Sequence, residues 1–161
     1  MPIESRFMAQ LAVLLRHEVD FFVVGGVAAV LHGSPVITKD LDVVFDPQAA
    51  NIERLLAALQ ELEARYHDPA GRHLVPDAEG LAIIRVNLLE TNKGRLDVLR
   101  LIGNGQTYGD LVDRTVAMDL GEFSIKVLDL PTLIETKEIA GRDKDRYGLL
   151  FLRELRDRIG E

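Results

Sequence analysis

A run of β-branched and aromatic residues, Phe21-Phe22-Val23-Val24, stops at two glycines, Gly25 and Gly26. A small-residue segment and a turn at Gly33-Ser34-Pro35 follow, and then two acids one residue apart, Asp40 and Asp42, open a second apolar run to Phe45. Residues i and i+2 of a strand face the same side, so the two carboxylates are expected side by side. Like charges that close are unfavourable unless a cation sits between them, and a hard divalent ion held by oxygen ligands is the usual resolution. The Gly-Gly turn into a helix offers backbone N–H groups suited to phosphate. A phosphate cradle beside an acid pair points to nucleotide chemistry.

Composition removes several other classes. With 161 residues and 47% apolar content, the chain supports one core and one domain over 1–161. The core is expected at about 19–128 and C-terminal helices at about 129–159. Cysteine is absent, so neither disulfides nor thiolate zinc sites are available. The histidines, His17, His32, His67 and His73, form no i, i+3 or i, i+4 pair that would suggest a His-rich metal site. The longest run free of charged or strongly polar residues, Phe21 to Leu31, is far short of the roughly 20 residues a bilayer requires. The first residues lack the layout of a secretory leader, so no membrane association and a cytoplasmic location are expected. A net charge of −7 disfavours binding along a polynucleotide, although one end of a structured RNA stays open.

Hydrophobic periodicity predicts a mixed α+β chain with helices before, within and after a small sheet. Helices are expected over 4–18, Val27–Leu31, from Asp46-Pro47 to Leu62, and near 130–140 and 144–159. Strands are expected at Phe21–Val24, Leu41–Phe45, Leu81–Leu89 and Leu96–Leu101, and a hairpin at 116–128 around Gly121-Glu122. Residues 67–80, with two prolines and two glycines, read as a surface loop.

A third acid, Asp97, sits in the strand Arg95-Leu-Asp97-Val-Leu, where Leu96 and Val98 face one side and Asp97 with Leu99 the other. Taken in order, Gly25-Gly26, Thr38, Asp40-Leu-Asp42 and Asp97 resemble the nucleotidyltransferase superfamily of DNA polymerase β type. More narrowly they are similar to its small prokaryotic members, the AbiEii-toxin-like and minimal nucleotidyltransferases. The resemblance continues through Leu133-Ile-Glu-Thr-Lys137 to Lys144-Asp145, and so covers about residues 21–155. It implies a nucleotidyltransferase fold, a small mixed sheet flanked by helices. It also implies transfer of a nucleoside monophosphate from a nucleoside triphosphate to a hydroxyl, with release of pyrophosphate. On this resemblance Asp40, Asp42 and Asp97 are catalytic and hold Mg²⁺ or Mn²⁺, while Gly25, Gly26, Thr38 and Lys137 bind the nucleotide. The acceptor is open between a tRNA 3′ end, a partner protein and a small antibiotic-like alcohol, and a cognate toxin or antitoxin is a further implied partner. One position departs from the pattern: Val36 stands where many relatives carry a basic residue.

Lys137 lies on the apolar stripe formed by Leu130, Leu133, Ile134 and Ala140. Such a lysine either snorkels to water or meets an anion, and a triphosphate would leave it poorly neutralised before ligand arrives. Arg142 and Lys144 read as solvated turn residues, and His32 as a turn residue. Two alternatives stand beside this reading. Asp40-Leu-Asp42-Val-Val44 fits the Asp-x-Asp-x-Val string of haloacid-dehalogenase-type phosphatases, but there the apolar strand precedes the acids, whereas here it follows them. The other alternative is a catalytically silent nucleotidyltransferase-fold module or antitoxin-like partner.

Overall fold

In the computed structural model, which describes residues 3–159 apart from the side chain of Lys144, the polypeptide begins with helix α1, Ser5–Arg16. Its apolar stripe, with Phe7, Leu11 and Leu14 buried, packs against α3, Ala49–Glu61, which buries Ile52, Leu55 and Leu59. Between them in sequence lie strand β1 (Phe21–Val24), the short helix α2 (Gly25–Leu31) and strand β2 (Asp40–Phe45). Every residue of β1 is buried, which explains why the run is apolar without alternation. Then come β3 (Arg65–Tyr66), α4 (Ala78–Ile83), β4 (Val86–Thr91), β5 (Gly94–Leu99), β6 (Leu101–Ile102), β7 (Gln106–Thr107) and α5 (Tyr108–Leu111). The hairpin β8 (Thr115–Asp119) and β9 (Ser124–Leu128) precedes α6 (Leu130–Ala140) and α7 (Arg146–Ile159).

Among the described residues, seven strands form one mixed sheet in the order β3-β4-β5-β2-β1-β9-β8, and β6 pairs with β7 separately. Strand β2 runs antiparallel to β1 and parallel to β5, while β5 pairs antiparallel with β4. Residues opposite one another on neighbouring strands share a face. The register therefore sets Leu88, Asp97, Asp42 and Val24 in one row across four strands. Helix α2 packs on β1 and β2 and against α6. No helix among the described residues is long and apolar enough to cross a membrane.

The expected elements stand with shifts of a few residues, except between 81 and 111. Leu81–Ile83 is not strand but the end of α4. Asp77 caps that helix by accepting from the Gly80 N–H at 2.6 Å, and Leu81 is fully buried. An aspartate three residues ahead is a helix start signal, and it outweighs the apolar run. The strand expected over Leu96–Leu101 ends at Leu99, and Leu101 belongs to the separate β6.

Candidate active site

The loop-to-helix turn at the end of β1 is shaped by its neighbours. Gly25 has φ +68°, the left-handed region, and a Cβ there would collide with the Asp42 carboxylate. A Cβ on Gly26 would collide with the Thr38 hydroxyl and lie 2.7 Å from the Thr38 Cβ. The paired glycines thus let α2 approach the acid strand closely. Thr38 Oγ1 in turn donates to the Asp40 carbonyl at 3.3 Å. Arg6, a residue the sequence did not single out, donates to the Lys39 carbonyl at 3.0 Å and to the Thr38 carbonyl at 3.4 Å, and stacks over the Phe7 ring. It ties the approach to β2 onto α1.

Asp42 and Asp97 face each other across the parallel β2–β5 pair. Burial, then the charge of Asp97 and the hydrogen bond shared with it, then the charge of Asp40, hold the Asp42 carboxyl well above the ordinary carboxylate range, with Arg142 opposing. Burial also raises Asp97, while the Asp42 hydrogen bond and Arg95 draw it back; Arg95 Nη2 lies 3.4 Å from Asp97 Oδ1. Asp42 Oδ1 is buried and has no hydrogen-bond partner. A buried carboxylate oxygen without a donor, beside a second carboxylate, fits a hard divalent cation. Asp40, at the start of β2, is only partly buried and acts on the pair through its charge. Among the described residues no three His, Asp or Glu side chains converge to hold a metal ion. Asp40, Asp42 and Asp97 nevertheless line one cavity, with Asp42 and Asp97 in register and Asp40 two residues along the same strand face.

The cationic side is supplied by α6. Asp129 caps its N-terminus by accepting from the Thr132 N–H at 2.9 Å, and Gly141, at φ +60°, ends it in a left-handed turn. That turn brings Arg142 and Asp145 back toward Lys137. Lys137 Nζ lies 3.2 Å from Asp145 Oδ1, and Arg142 Nε lies 2.8 Å from Asp145 Oδ2. Lys137 is thus already neutralised by a buried carboxylate, contrary to the expectation of a poorly satisfied ammonium. Burial alone would raise the Asp145 carboxyl, but Lys137 and Arg142 outweigh it and hold it below its ordinary range. Arg142 is more than a solvated turn residue, because it borders the same space as the acid pair. A sequence signal for this existed in the Gly141 helix stop. His32 takes a structural part, its Nε2 lying 2.8 Å from the Leu128 carbonyl and joining α2 to β9.

Two cavities meet at the acids. One, of about 380 Å³, includes Gly26, Thr38, Lys39, Asp40 and Asp145. The other, of about 310 Å³, is walled by β4, β5 and β6. Gly25, Asp42, Asp97, Lys137 and Arg142 border both. Val36 lines the larger of the two, and the cations facing that space are Lys39, Lys137 and Arg142. A separate cavity of about 320 Å³ between α3 and residues 73–76 carries Glu63 and His73 but no carboxylate pair.

No protein-family model and no characterised sequence matches the chain. Solved structures do. The lincosamide antibiotic adenylyltransferase LnuA, in its lincomycin-bound form, superposes with a TM-score of 0.66 at 15% identity, covering 95% of this chain and 98% of LnuA. A Thermotoga maritima protein provisionally assigned as a nucleotidyltransferase gives 0.58 at 18% identity, over 94% and 96% of the two chains. The antibiotic-resistance factor ANT(2'')-Ia gives 0.52 at 13% identity, over 97% and 92%. With its mixed sheet flanked by helices and this agreement over nearly the full length of each partner, the chain has the nucleotidyltransferase fold.

Proposed function

We propose that this protein transfers a nucleoside monophosphate from a nucleoside triphosphate to a hydroxyl on a small molecule, releasing pyrophosphate. The observation that carries the reading is the Asp42–Asp97 pair, in register on adjacent strands with Asp97 and the Asp42 Oδ1 atom buried, where two cavities meet. Fold by itself does not assign activity; the acid pair and its cationic flank add the chemistry. Asp42 and Asp97, with Asp40 beside them, would hold Mg²⁺ or Mn²⁺. Such an ion, when bound, neutralises phosphate oxygens and acidifies the attacking hydroxyl. Asp97, across from Asp42 on β5, would accept the hydroxyl proton. The Gly25-Gly26 turn holds the terminal phosphates, and Thr38 braces that turn by packing against Gly26. Lys137 and Arg142 meet the triphosphate charge in exchange for their contacts with Asp145.

A small-molecule acceptor is supported by two structural neighbours that are an antibiotic adenylyltransferase and an antibiotic-resistance factor, and by the net charge of −7. An AbiEii-type role in a toxin–antitoxin pair rests on the sequence resemblance, and an adjacent toxin-like or antitoxin-like reading frame would support it. Calorimetric titration with Mg²⁺-nucleotides, followed by an assay of pyrophosphate release over a panel of alcohols, tests the proposal. Metal-dependent nucleotide binding that is lost in Asp42→Asn and Asp97→Asn is expected. Binding without pyrophosphate release, across every acceptor class, would favour a silent binding module instead.

A further inference from the structure

The transverse row Leu88–Asp97–Asp42–Val24 puts the acids on the same sheet face as an apolar wall. On β4 the outward positions are Val86, Leu88 and Glu90; Glu90 is paired with Arg65 and His67, while Val86 and Leu88 are 47% and 43% exposed, and Asn87 and Leu89 point to the core. Outward positions of a half-exposed hairpin are ordinarily polar, so two exposed aliphatic side chains beside buried carboxylates call for an occupant. Val86 stands opposite Leu99, and Leu101 and Ile102 of β6 extend the wall. None of these five aliphatic side chains carries charge or a hydrogen-bonding group, and charge enters only at the end where Asp42, Asp97, Lys137 and Arg142 stand.

We propose that this cavity of about 310 Å³ takes the acceptor, and that the acceptor is a small alcohol with a hydrocarbon body and at most one charge. The volume falls in the range of small-molecule sites. A nucleic-acid acceptor needs cations along its phosphates, and no cation lines the β4–β6 wall. A polycationic aminosugar needs acids beyond the reacting pair, and that wall has none. The hydroxyl end lies at Asp97. Its oxygen forms a bond to the α-phosphorus, the bond from that phosphorus to the pyrophosphate oxygen breaks, the hydroxyl proton passes to Asp97, and pyrophosphate departs with the electron pair. This inference rests on the nucleotidyl-transfer reading.

The test is calorimetric titration of the whole chain with methyl, butyl, hexyl and octyl β-glucoside, each below its micellar concentration, with Mg²⁺-ATP titrated separately. The Kd is expected to fall about twofold to fourfold per added methylene until the cavity is filled, the scale of hydrocarbon burial. Val86→Asn and Leu101→Asn, each verified as folded by its melting curve, should flatten that dependence while Mg²⁺-ATP still binds. An aminoglycoside and a short RNA with a free 3′ hydroxyl should bind more weakly than hexyl glucoside. Affinity independent of chain length, or a dependence that survives in both folded variants, overturns the acceptor assignment and leaves nucleotide transfer standing if Mg²⁺-ATP binds. Chain-length dependence without any Mg²⁺-ATP binding overturns the transfer reading, and the acceptor role falls with it.

Discussion

Lys137 and Asp145 form an ion pair 3.2 Å long whose side chains are only 11% and 10% exposed, and Arg142 completes it from the other carboxylate oxygen. Removing one member of a buried pair leaves the other charge stranded, which costs more than the pair contributes when intact. Arg142 would still hold Asp145, so Lys137→Met should lower stability by about 1–3 kcal/mol, the range for a lost charged hydrogen bond. It should also weaken Mg²⁺-nucleotide binding. Asp145→Asn should free both cations and keep or strengthen that binding. Chemical denaturation and calorimetry on the two variants decide it: equal loss of nucleotide affinity in both would make the triad purely structural.

Asp42→Asn should trade stability against binding. The asparagine amide can donate to Asp97 and removes one of two acids that burial and mutual charge hold away from their ordinary range. Replacing a strained buried ionisable group with a neutral isostere is often stabilising. A gain of about 1 kcal/mol in urea denaturation, with Mg²⁺-nucleotide binding abolished, is the expected outcome. A destabilised variant would mean that the carboxyl pair holds the β2–β5 ladder together.

The Gly26–Thr38 contact predicts energetic coupling. Gly26→Ala forces its methyl into the Thr38 side chain, and such overpacking costs about 1–3 kcal/mol. Thr38→Gly removes the obstacle, so the double variant should recover much of the loss that Gly26→Ala alone incurs. A double-mutant cycle in denaturant measures that interaction. Gly25→Ala should not be rescued in this way, because its φ of +68° is unfavourable to any side chain.

Glu61 fastens α3 to α1. It accepts from Arg16 at 2.7 Å on both oxygens and lies 2.9 Å from His17 Nε2. These bonds, Arg16 first, lower its carboxyl from 4.5 to about 2. A folded value below the unfolded one means that the contribution is fully present above pH 4.5 and is lost as pH falls toward 2. The stability difference between the wild type and Glu61→Gln should therefore shrink toward zero as pH falls from about 4.5 to about 2. The pair is exposed, so added salt should shrink the difference at neutral pH as well. A difference that grows on acidification would place the stabilisation elsewhere.

Local pattern determined a good part of this protein. The all-buried run Phe21–Val24, the Gly-Gly stop, the Asp-x-Asp strand, the hairpin around Gly121 and the two terminal helices were legible because each depends on neighbours within a turn or a strand length. Residues 81–111 were less so. There a short apolar run fits helix and strand equally, and the Asp77 cap that decides between them is a single hydrogen bond. Tertiary structure alone decided the site. Asp42 and Asp97 are far apart in sequence, and only the parallel β2–β5 register makes them partners while leaving Asp40 outside the pair. The inner stripe of α6 left Lys137 either to snorkel to water or to meet an anion, because a helical period carries no information about what lies across the cleft. Gly141 folds the chain back and delivers Asp145 as that anion, because a buried charge is matched by whatever opposite charge packing brings within reach.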